Sequence, residues 1–207
     1  MYSYDLFNFK ALALKKLGKG LFAGGDYQFS HEYNFDLEEG GELIRGNVTG
    51  YRGGTGSALG AVLVYDTRDN IMNPYEGIFI EGSSYFYNEA FGGNFNYINL
   101  NLAFAKYFEL KDHHILGFHA VARSNFGGMP FLDMAKVGGE EILRGYAANR
   151  FRDHHFFGVQ TEYRFPVWWR FGMTVFCRSV GCNENPARSQ TRQVKVFTLS
   201  RDTLQHQ

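Results

Sequence analysis

The chain has 207 residues with 21 acidic and 21 basic side chains, so it lacks the excess of positive charge that nucleic-acid binding requires. Aromatic residues make up 17% of the chain, yet its mean hydropathy is only −0.30. Such averages are typical of membrane β-strands, which have one apolar and one polar face. No run of about 18 apolar residues occurs, so the sequence predicts no transmembrane helix.

Alternation of apolar and polar residues predicts about eight strands, joined by short turns and longer loops. In chain order the predicted strands are 2–14, 21–33, 57–66, 78–88, 94–108, 114–124, 155–165 and 170–176. The long loops are predicted at 34–56, 89–93 and 125–154. This pattern predicts an all-β fold, an antiparallel up-and-down transmembrane β-barrel whose short turns face the periplasm.

The predicted strand 155–165 shows the two faces of such a barrel. One face carries apolar and aromatic side chains, namely Phe157, Val159, Thr161, Tyr163 and Phe165. The other face is polar or small, with Gly158, Gln160, Glu162 and Arg164. A soluble β-sandwich also alternates, but here the apolar faces end in aromatic residues such as Trp168 and Trp169. Aromatic residues in these places are typical of membrane interfaces, so the barrel is favoured.

A turn motif lies between the third and fourth predicted strands, and it consists of Asp66, Arg68, Asp69, Pro74 and Gly77. The aspartates can accept hydrogen bonds from turn N–H groups, the proline fixes φ, and the glycine permits a positive φ. The motif therefore predicts a defined turn architecture.

A second motif, Leu143, Arg144, Gly145 and Tyr146, lies in the glycine-rich loop 125–154. With the turn motif and the strand order from about 58 to 176, it resembles the bacterial surface antigen family of outer-membrane assembly and translocation barrels, the BamA/TamA type. The resemblance implies that the chain is the C-terminal part of a barrel domain, about eight strands of a sixteen-stranded barrel and so incomplete. It also implies that the loop folds into the lumen, where Arg144 pairs with Glu162.

The alternation stops after Phe176, which predicts a partial outer-membrane β-barrel domain at 1–176 and an anomalous C-terminal tail at 177–207. The family's second acidic partner for the loop arginine has no counterpart at 175–179, and the closing aromatic residue is absent. The tail is either a natural divergence or the product of a frameshift, and the frameshift is favoured. No signal peptide precedes the first strand, so we interpret the chain as an internal fragment or a mis-started reading frame.

No metal site, cofactor or catalytic residue is predicted. Cys177 and Cys182 have no further cysteine or nearby histidine to complete a zinc site. The adjacent pairs His113–His114 and His154–His155 point to opposite faces of a strand, and we interpret them as interfacial histidines.

The resemblance implies a non-enzymatic barrel in the bacterial outer membrane that inserts or translocates other proteins. The implied partners are outer-membrane lipid, client outer-membrane or secreted proteins, and periplasmic accessory proteins. Two alternatives stay open: a barrel attached to a patatin-like phospholipase, and a passive porin-like channel. A porin's constricting loop usually carries charges of both signs, whereas this loop has a single Arg-Gly-Tyr tip.

Overall fold

The computed structural model of the protein describes residues 2–37, 49–50, 53–131, 133, 135–137, 151–168, 171–183 and 198–203. These residues form eleven strands and one short 3₁₀ helix, Glu89–Phe91. The strands are β1 (Tyr2–Lys16), β2 (Leu21–Leu37), β3 (Gly54–Asp66), β4 (Gly77–Tyr87), β5 (Tyr97–Lys111), β6 (His114–Gly127), β7 (Ala135–Val137), β8 (Phe151–Asp153), β9 (His155–Trp168), β10 (Phe171–Asn183) and β11 (Thr198–Thr203).

Nine of these strands form one antiparallel sheet in the order β1-β2-β3-β4-β5-β6-β9-β10-β11. Strands that follow each other in this order are joined up and down, and β7 and β8 form a separate two-stranded ribbon within the loop between β6 and β9. Within the described residues, β1 and β11 are the two edges of the sheet. This confirms the predicted all-β, up-and-down antiparallel fold, because a sandwich would need a second sheet facing the first.

All eight predicted strands lie in this sheet, although several extend beyond their predicted ends. The largest difference concerns β10, which continues to Asn183 while its residues 177–183 pair with residues 155–161 of β9. Backbone pairing does not require alternating side chains, so a strand can follow its neighbour after its own pattern has ended. Strand β11, which pairs with residues 171–176 of β10, was not predicted either. The domain boundary at 176 stays a prediction.

The two faces of the sheet differ as the alternation predicted. On β9, Phe157 and Val159 are 53% and 37% exposed, whereas Gln160 and Glu162 are 9% and 5% exposed. The same outward face carries exposed apolar side chains on the other strands, including Phe9, Leu59, Leu63, Phe86, Leu100, Leu102 and Phe118. A continuous apolar surface of this size is unfavourable in water and suits contact with lipid.

The connections differ at the two ends of the sheet. Residues 17–20, 67–76 and 112–113 form the short turns at one end, while the longer connections, including those at 38–53 and 128–154, lie at the other. In the part of the chain that the structure describes, no helix has the length and apolar character needed to cross a membrane.

Candidate functional site: a buried carboxylate on the polar face

The polar face of the sheet surrounds a cavity of about 690 Å³. Its lining includes Lys10 of β1, Tyr85 of β4, His119 of β6 and Gln160 of β9. Because strands that are far apart in the sheet line one cavity, the sheet is curled around its polar face. The curvature places inward-facing polar side chains of different strands within reach of one another.

Glu162 lies on this inward face and is almost completely buried. Its direct neighbours across the strands are Gly117 on β6 and Phe176 on β10. A Cβ atom added at Gly117 would lie 2.8 Å from Cγ of Glu162, which is closer than real Cβ contacts. The glycine therefore leaves the space that the Glu162 side chain occupies as it extends over β6.

The side chains of Arg164 and His119 both approach one oxygen of this carboxylate. Nη2 of Arg164 donates a hydrogen bond to Oε1 of Glu162, and Nε2 of His119 lies 3.5 Å from the same oxygen. The second distance exceeds that of an ordinary hydrogen bond, so the contact with His119 is an electrostatic one when the imidazole is protonated. Among the described residues, none donates a hydrogen bond to Oε2. The site thus presents one occupied and one available carboxylate oxygen.

Arg164 connects the carboxylate to a remote turn. Its Nη1 donates hydrogen bonds to Oδ1 of Asn73, at 2.8 Å, and to the carbonyl oxygen of Pro74, at 3.2 Å. The guanidinium also lies 5.4 Å from the ring centroid of Tyr107. Because Asn73 and Pro74 belong to the turn between β3 and β4, a single arginine joins this turn to the buried carboxylate of Glu162.

The turn itself is organised by an ion pair at its start. Nε and Nη2 of Arg68 donate hydrogen bonds of 2.9 and 2.7 Å to the two carboxylate oxygens of Asp66. These side-chain hydrogen bonds are the main reason that the pKa of Arg68 lies above its ordinary value. The Arg68 guanidinium lies 4.4 Å from the ring centroid of Phe79, which limits its movement on one side.

The remaining residues of the turn motif hold the backbone of the turn. Oδ1 of Asp69 accepts hydrogen bonds from the backbone N–H groups of Tyr75 and Glu76, at 3.0 and 3.2 Å. Pro74 is buried, and Gly77 has a φ of 112°, which favours glycine. All five residues of the predicted motif therefore lie in, or next to, one ordered turn whose Pro74 carbonyl reaches Arg164.

The loop motif Leu143, Arg144, Gly145 and Tyr146 lies outside the described residues. Its flanks are described: residues 135–137 of β7 pair with residues 151–153 of β8. In the first part of the loop Met129, Pro130 and Phe131 are buried, and the Phe131 N–H donates a 3.0 Å hydrogen bond to the carbonyl oxygen of Thr49. Oδ2 of Asp133, which lines the cavity, accepts a 2.6 Å hydrogen bond from the Tyr97 hydroxyl.

A second buried acid, Asp26 on β2, was missed in the sequence. Its Oδ2 accepts hydrogen bonds from the Tyr85 hydroxyl at 2.9 Å and from Nε2 of Gln28 at 3.2 Å, and Nζ of Lys10 lies 3.2 Å away. Alternation places Asp26 and Gln28 on the inward face, and this position could have identified Asp26 as an inward acid. No local pattern predicts its hydrogen bond with Tyr85, because the two residues are separated by 59 positions.

The histidines and cysteines show no arrangement for a metal in the described residues, which contain no cluster of three or more potential His, Cys, Asp or Glu ligands. Nδ1 of His114 lies 2.8 Å from the Tyr163 hydroxyl, and the His155 ring lies beside Phe126 with centroids 5.1 Å apart. Cys177 is a free, exposed thiol on β10.

Comparison with known proteins gives a family and a fold. Residues 23–190 match the sequence profile of the Omp85 superfamily domain. Among solved structures, the chain is similar to BamA from Haemophilus ducreyi lacking POTRA domains 1–3, with a TM-score of 0.72 and 13% sequence identity over 86% of this chain and 42% of the BamA chain. The chain thus spans less than half the length of that structure. No curated protein matches the sequence. Because the family profile covers most of the chain, the protein belongs to the Omp85 superfamily.

Proposed function

We propose that this chain forms part of a bacterial outer-membrane barrel that inserts or translocates other proteins and acts without enzymatic chemistry. The observation that carries the proposal is the match of residues 23–190 to the Omp85 superfamily domain. The curled antiparallel sheet, with its apolar outer face and polar inner face, supports the same function. The proposed partners are outer-membrane lipid, client outer-membrane or secreted proteins, and periplasmic accessory proteins.

Such a barrel can act on a client through backbone pairing. A sheet edge presents unpaired N–H and C=O groups, and an incoming strand can satisfy them by β-augmentation. In a membrane this is the low-energy route for a client strand, because the lipid offers no hydrogen-bonding partners. The barrel therefore needs a wall that keeps its shape while an edge opens, and the lumenal site supplies a brace for that wall.

The brace is an ion pair between Arg144 of the loop and Glu162 of β9. Three observations support it: the carboxylate is buried on the inner face, its Oε1 is already held by Arg164, and Oε2 accepts no hydrogen bond from the described residues. Asp133, in the first part of the same loop, lines the cavity on this face. A guanidinium donates well to a carboxylate oxygen of this kind, and the Coulomb attraction between the two charges is stronger in a buried site than at an exposed one.

The test is reconstitution of the full-length protein in lipid vesicles, followed by addition of an unfolded outer-membrane β-barrel protein as client. We expect faster insertion than into empty vesicles, measured as protease protection and as heat-modifiable migration of the client. Arg144→Ala should slow insertion, whereas Glu81→Gln, an inward acid on β4, serves as the control and should not. Vesicles that release ions through the protein, yet insert the client no faster than empty vesicles, would show a passive channel instead.

A further inference from the structure

The β3–β4 turn, residues 67–76, does not stay between the two strands that it joins. Its Asn73 and Pro74 accept hydrogen bonds from Arg164 of β9, at 2.8 and 3.2 Å. Its Tyr75 packs against a buried cluster on the inner face of β5 and β6, which consists of Ala105, Tyr107 and Ile115. The commonest hairpin turns have two residues and cannot reach beyond their own strands. This turn instead crosses the concave face of the curled sheet at its short-turn end.

The crossing segment is a folded unit with its own hydrogen bonds. Oδ1 of Asn70 accepts hydrogen bonds from the backbone N–H groups of Met72 and Asn73, at 2.8 and 3.3 Å. The backbone N–H of Asp69 donates a 3.3 Å hydrogen bond to the carbonyl oxygen of Glu76 and closes the base of the turn. Irregular backbone at the depth of a membrane is tolerated where it lines a cavity and its polar groups are satisfied. The turn can therefore move as one body when its contacts with the neighbouring strands are lost.

The cavity on the polar face lies on the other side of this turn. Ala105 and Tyr107, which belong to the cluster beneath Tyr75, also line the cavity. Ala103 lines it as well, and it lies two residues further along β5 from the short-turn end. A molecule that enters the lumen along this wall from the short-turn end therefore meets the turn before it reaches the cavity.

We propose that the β3–β4 turn is a strap that restricts entry into the lumen from its short-turn end, and that Arg164 fastens it. The guanidinium binds the strap through Nη1 and is held on the wall through Nη2, which donates to the buried Glu162. Because the carboxylate retains the guanidinium, Arg164 cannot follow the strap when the strap moves away. Opening therefore breaks hydrogen bonds of a charged donor, and the closed position is favoured. This inference goes beyond the proposed function, because a barrel of any activity has a lumen whose entry can be restricted.

The experiment measures how fast a thiol inside the lumen reacts in the full-length protein in lipid vesicles. The background carries Cys177→Ser and Cys182→Ser, and any cysteine outside these 207 residues is replaced in the same way. Ala103→Cys places the reporter thiol beyond the strap, and the probe is a membrane-impermeant maleimide linked to a polyethylene glycol chain. Met72→Cys, at the exposed tip of the strap, is labelled in a parallel sample and gives the fraction of molecules whose short turns face the probe.

Asn73→Ala removes the side-chain acceptor of the fastening and leaves the backbone hydrogen bond of residue 73 in place. It should accelerate labelling at position 103 on the order of tenfold, because the lost hydrogen bond has a charged donor. Asn73→Asp keeps an acceptor oxygen for Nη1 and should keep the slow rate. Asn96→Ala is the matched control and should leave the rate unchanged, since Asn96 forms its side-chain hydrogen bonds with Glu89 at the opposite end of the sheet.

Two further variants make the result specific. In an Arg164→Met background, Asn73→Ala should cause no additional acceleration, because the donor of the fastening is already lost. Tyr75→Ala removes the packing of the strap on β5 and β6, so it should accelerate labelling without any change at Arg164. Heat-modifiable migration of each variant verifies that the barrel has folded, and Tyr75→Ala provides the second measurement if Asn73→Ala does not fold.

The outcomes decide both parts of the inference. If the folded Asn73→Ala and Tyr75→Ala variants label no faster than the parent, the turn does not restrict entry and the inference is overturned. If Asn73→Ala accelerates labelling equally with and without Arg164, the turn restricts entry but Arg164 does not fasten it, which overturns that role. None of these rates depends on the insertion of a client, so failure of the proposed function would leave this result unchanged.

Discussion

The chemistry of the polar face depends on how each buried acid is partnered. Glu162 faces Gly117 and Phe176 across the strands, and neither of them can donate a side-chain hydrogen bond. Its stabilisation comes instead from Arg164, two positions along the same strand, and from His119, a diagonal neighbour on β6. A buried carboxylate that loses a cationic partner keeps its desolvation cost, so the partners of Glu162 act as a group.

The first prediction concerns the proposed pair of Arg144 and Glu162. Loss of either partner leaves a charge poorly satisfied and should cost about 1–3 kcal/mol in the free energy of unfolding. Arg144→Ala and Glu162→Ala should therefore impair assembly of the full-length protein to a similar extent, and the double variant little more than either. Urea titration of heat-modifiable migration measures this, and strictly additive losses would contradict the pair.

The second prediction concerns the space beside Glu162. Gly117→Ala places a Cβ atom 2.8 Å from Cγ of Glu162 and 3.0 Å from its Oε1, so the carboxylate must move. We expect a loss of about 1–3 kcal/mol in the free energy of unfolding. Gly82→Ala on β4 is the matched control, because nothing lies within 4 Å of its added Cβ.

The measurement is tryptophan fluorescence of the full-length protein in detergent during urea unfolding. Gly82→Ala should change the midpoint far less than Gly117→Ala. Equal effects of the two substitutions would show that the loss arises from β-strand glycine replacement in general, and not from the position of Glu162.

Alternation alone predicted which residues of β9 face inward, Glu162 and Arg164 among them. It could not predict that the Arg164 guanidinium reaches Asn73, since the two are 91 positions apart and meet only through the curvature of the sheet. The same limit applies to His119, which approaches Glu162 diagonally from β6. Position on a face follows from local period, whereas contact between strands depends on register and curvature.

At the scale of the elements, the β3–β4 turn is fixed by backbone geometry as well as by side chains. Gly77 has a φ of 112°, and an added Cβ would lie 2.6 Å from the Thr67 carbonyl oxygen and 2.7 Å from Cα of Arg68. Both neighbours are backbone atoms, which cannot rotate away. The third prediction is therefore that Gly77→Ala destabilises the full-length protein by about 1–3 kcal/mol.

Gly92→Ala provides the comparison for this prediction. Gly92 also has a positive φ, of 88°, but nothing lies within 4 Å of an added Cβ there. Its replacement adds backbone strain without a clash, so the urea midpoint should fall less than for Gly77→Ala. If the two substitutions lower the midpoint equally, the close packing of the turn contributes nothing beyond the conformational preference.

The elements show which features a local pattern can predict. The eight strands were found because each carries several alternations, and the turn motif because its residues have strong backbone preferences. The ribbon of β7 and β8 was missed, since three residues in each strand are too few to show a period. The extension of β10 to Asn183 was missed because pairing with β9 continues where the alternation of β10 has ended.

At the scale of the whole molecule, the sheet is open in the described residues, with β1 and β11 as edges. An edge within lipid leaves backbone N–H and C=O groups without partners, and each such group costs several kcal/mol in hydrocarbon. Closure would need β1 to pair with β11, which pairs with β10 over only residues 171–176. A strand of this length offers few hydrogen bonds to the longer β1.

The last prediction is therefore that the 207-residue chain alone does not close into a stable barrel. After refolding in detergent micelles, it should migrate on a gel at the same position with and without heating, and protease should degrade it throughout. A fast-migrating, protease-resistant form that disappears on boiling would contradict this prediction. The complementary test adds the rest of the barrel domain of a full-length relative as a separate chain. Its strands should pair with both β1 and β11 and protect the two strands from protease together, because a barrel closes only when both edges are paired.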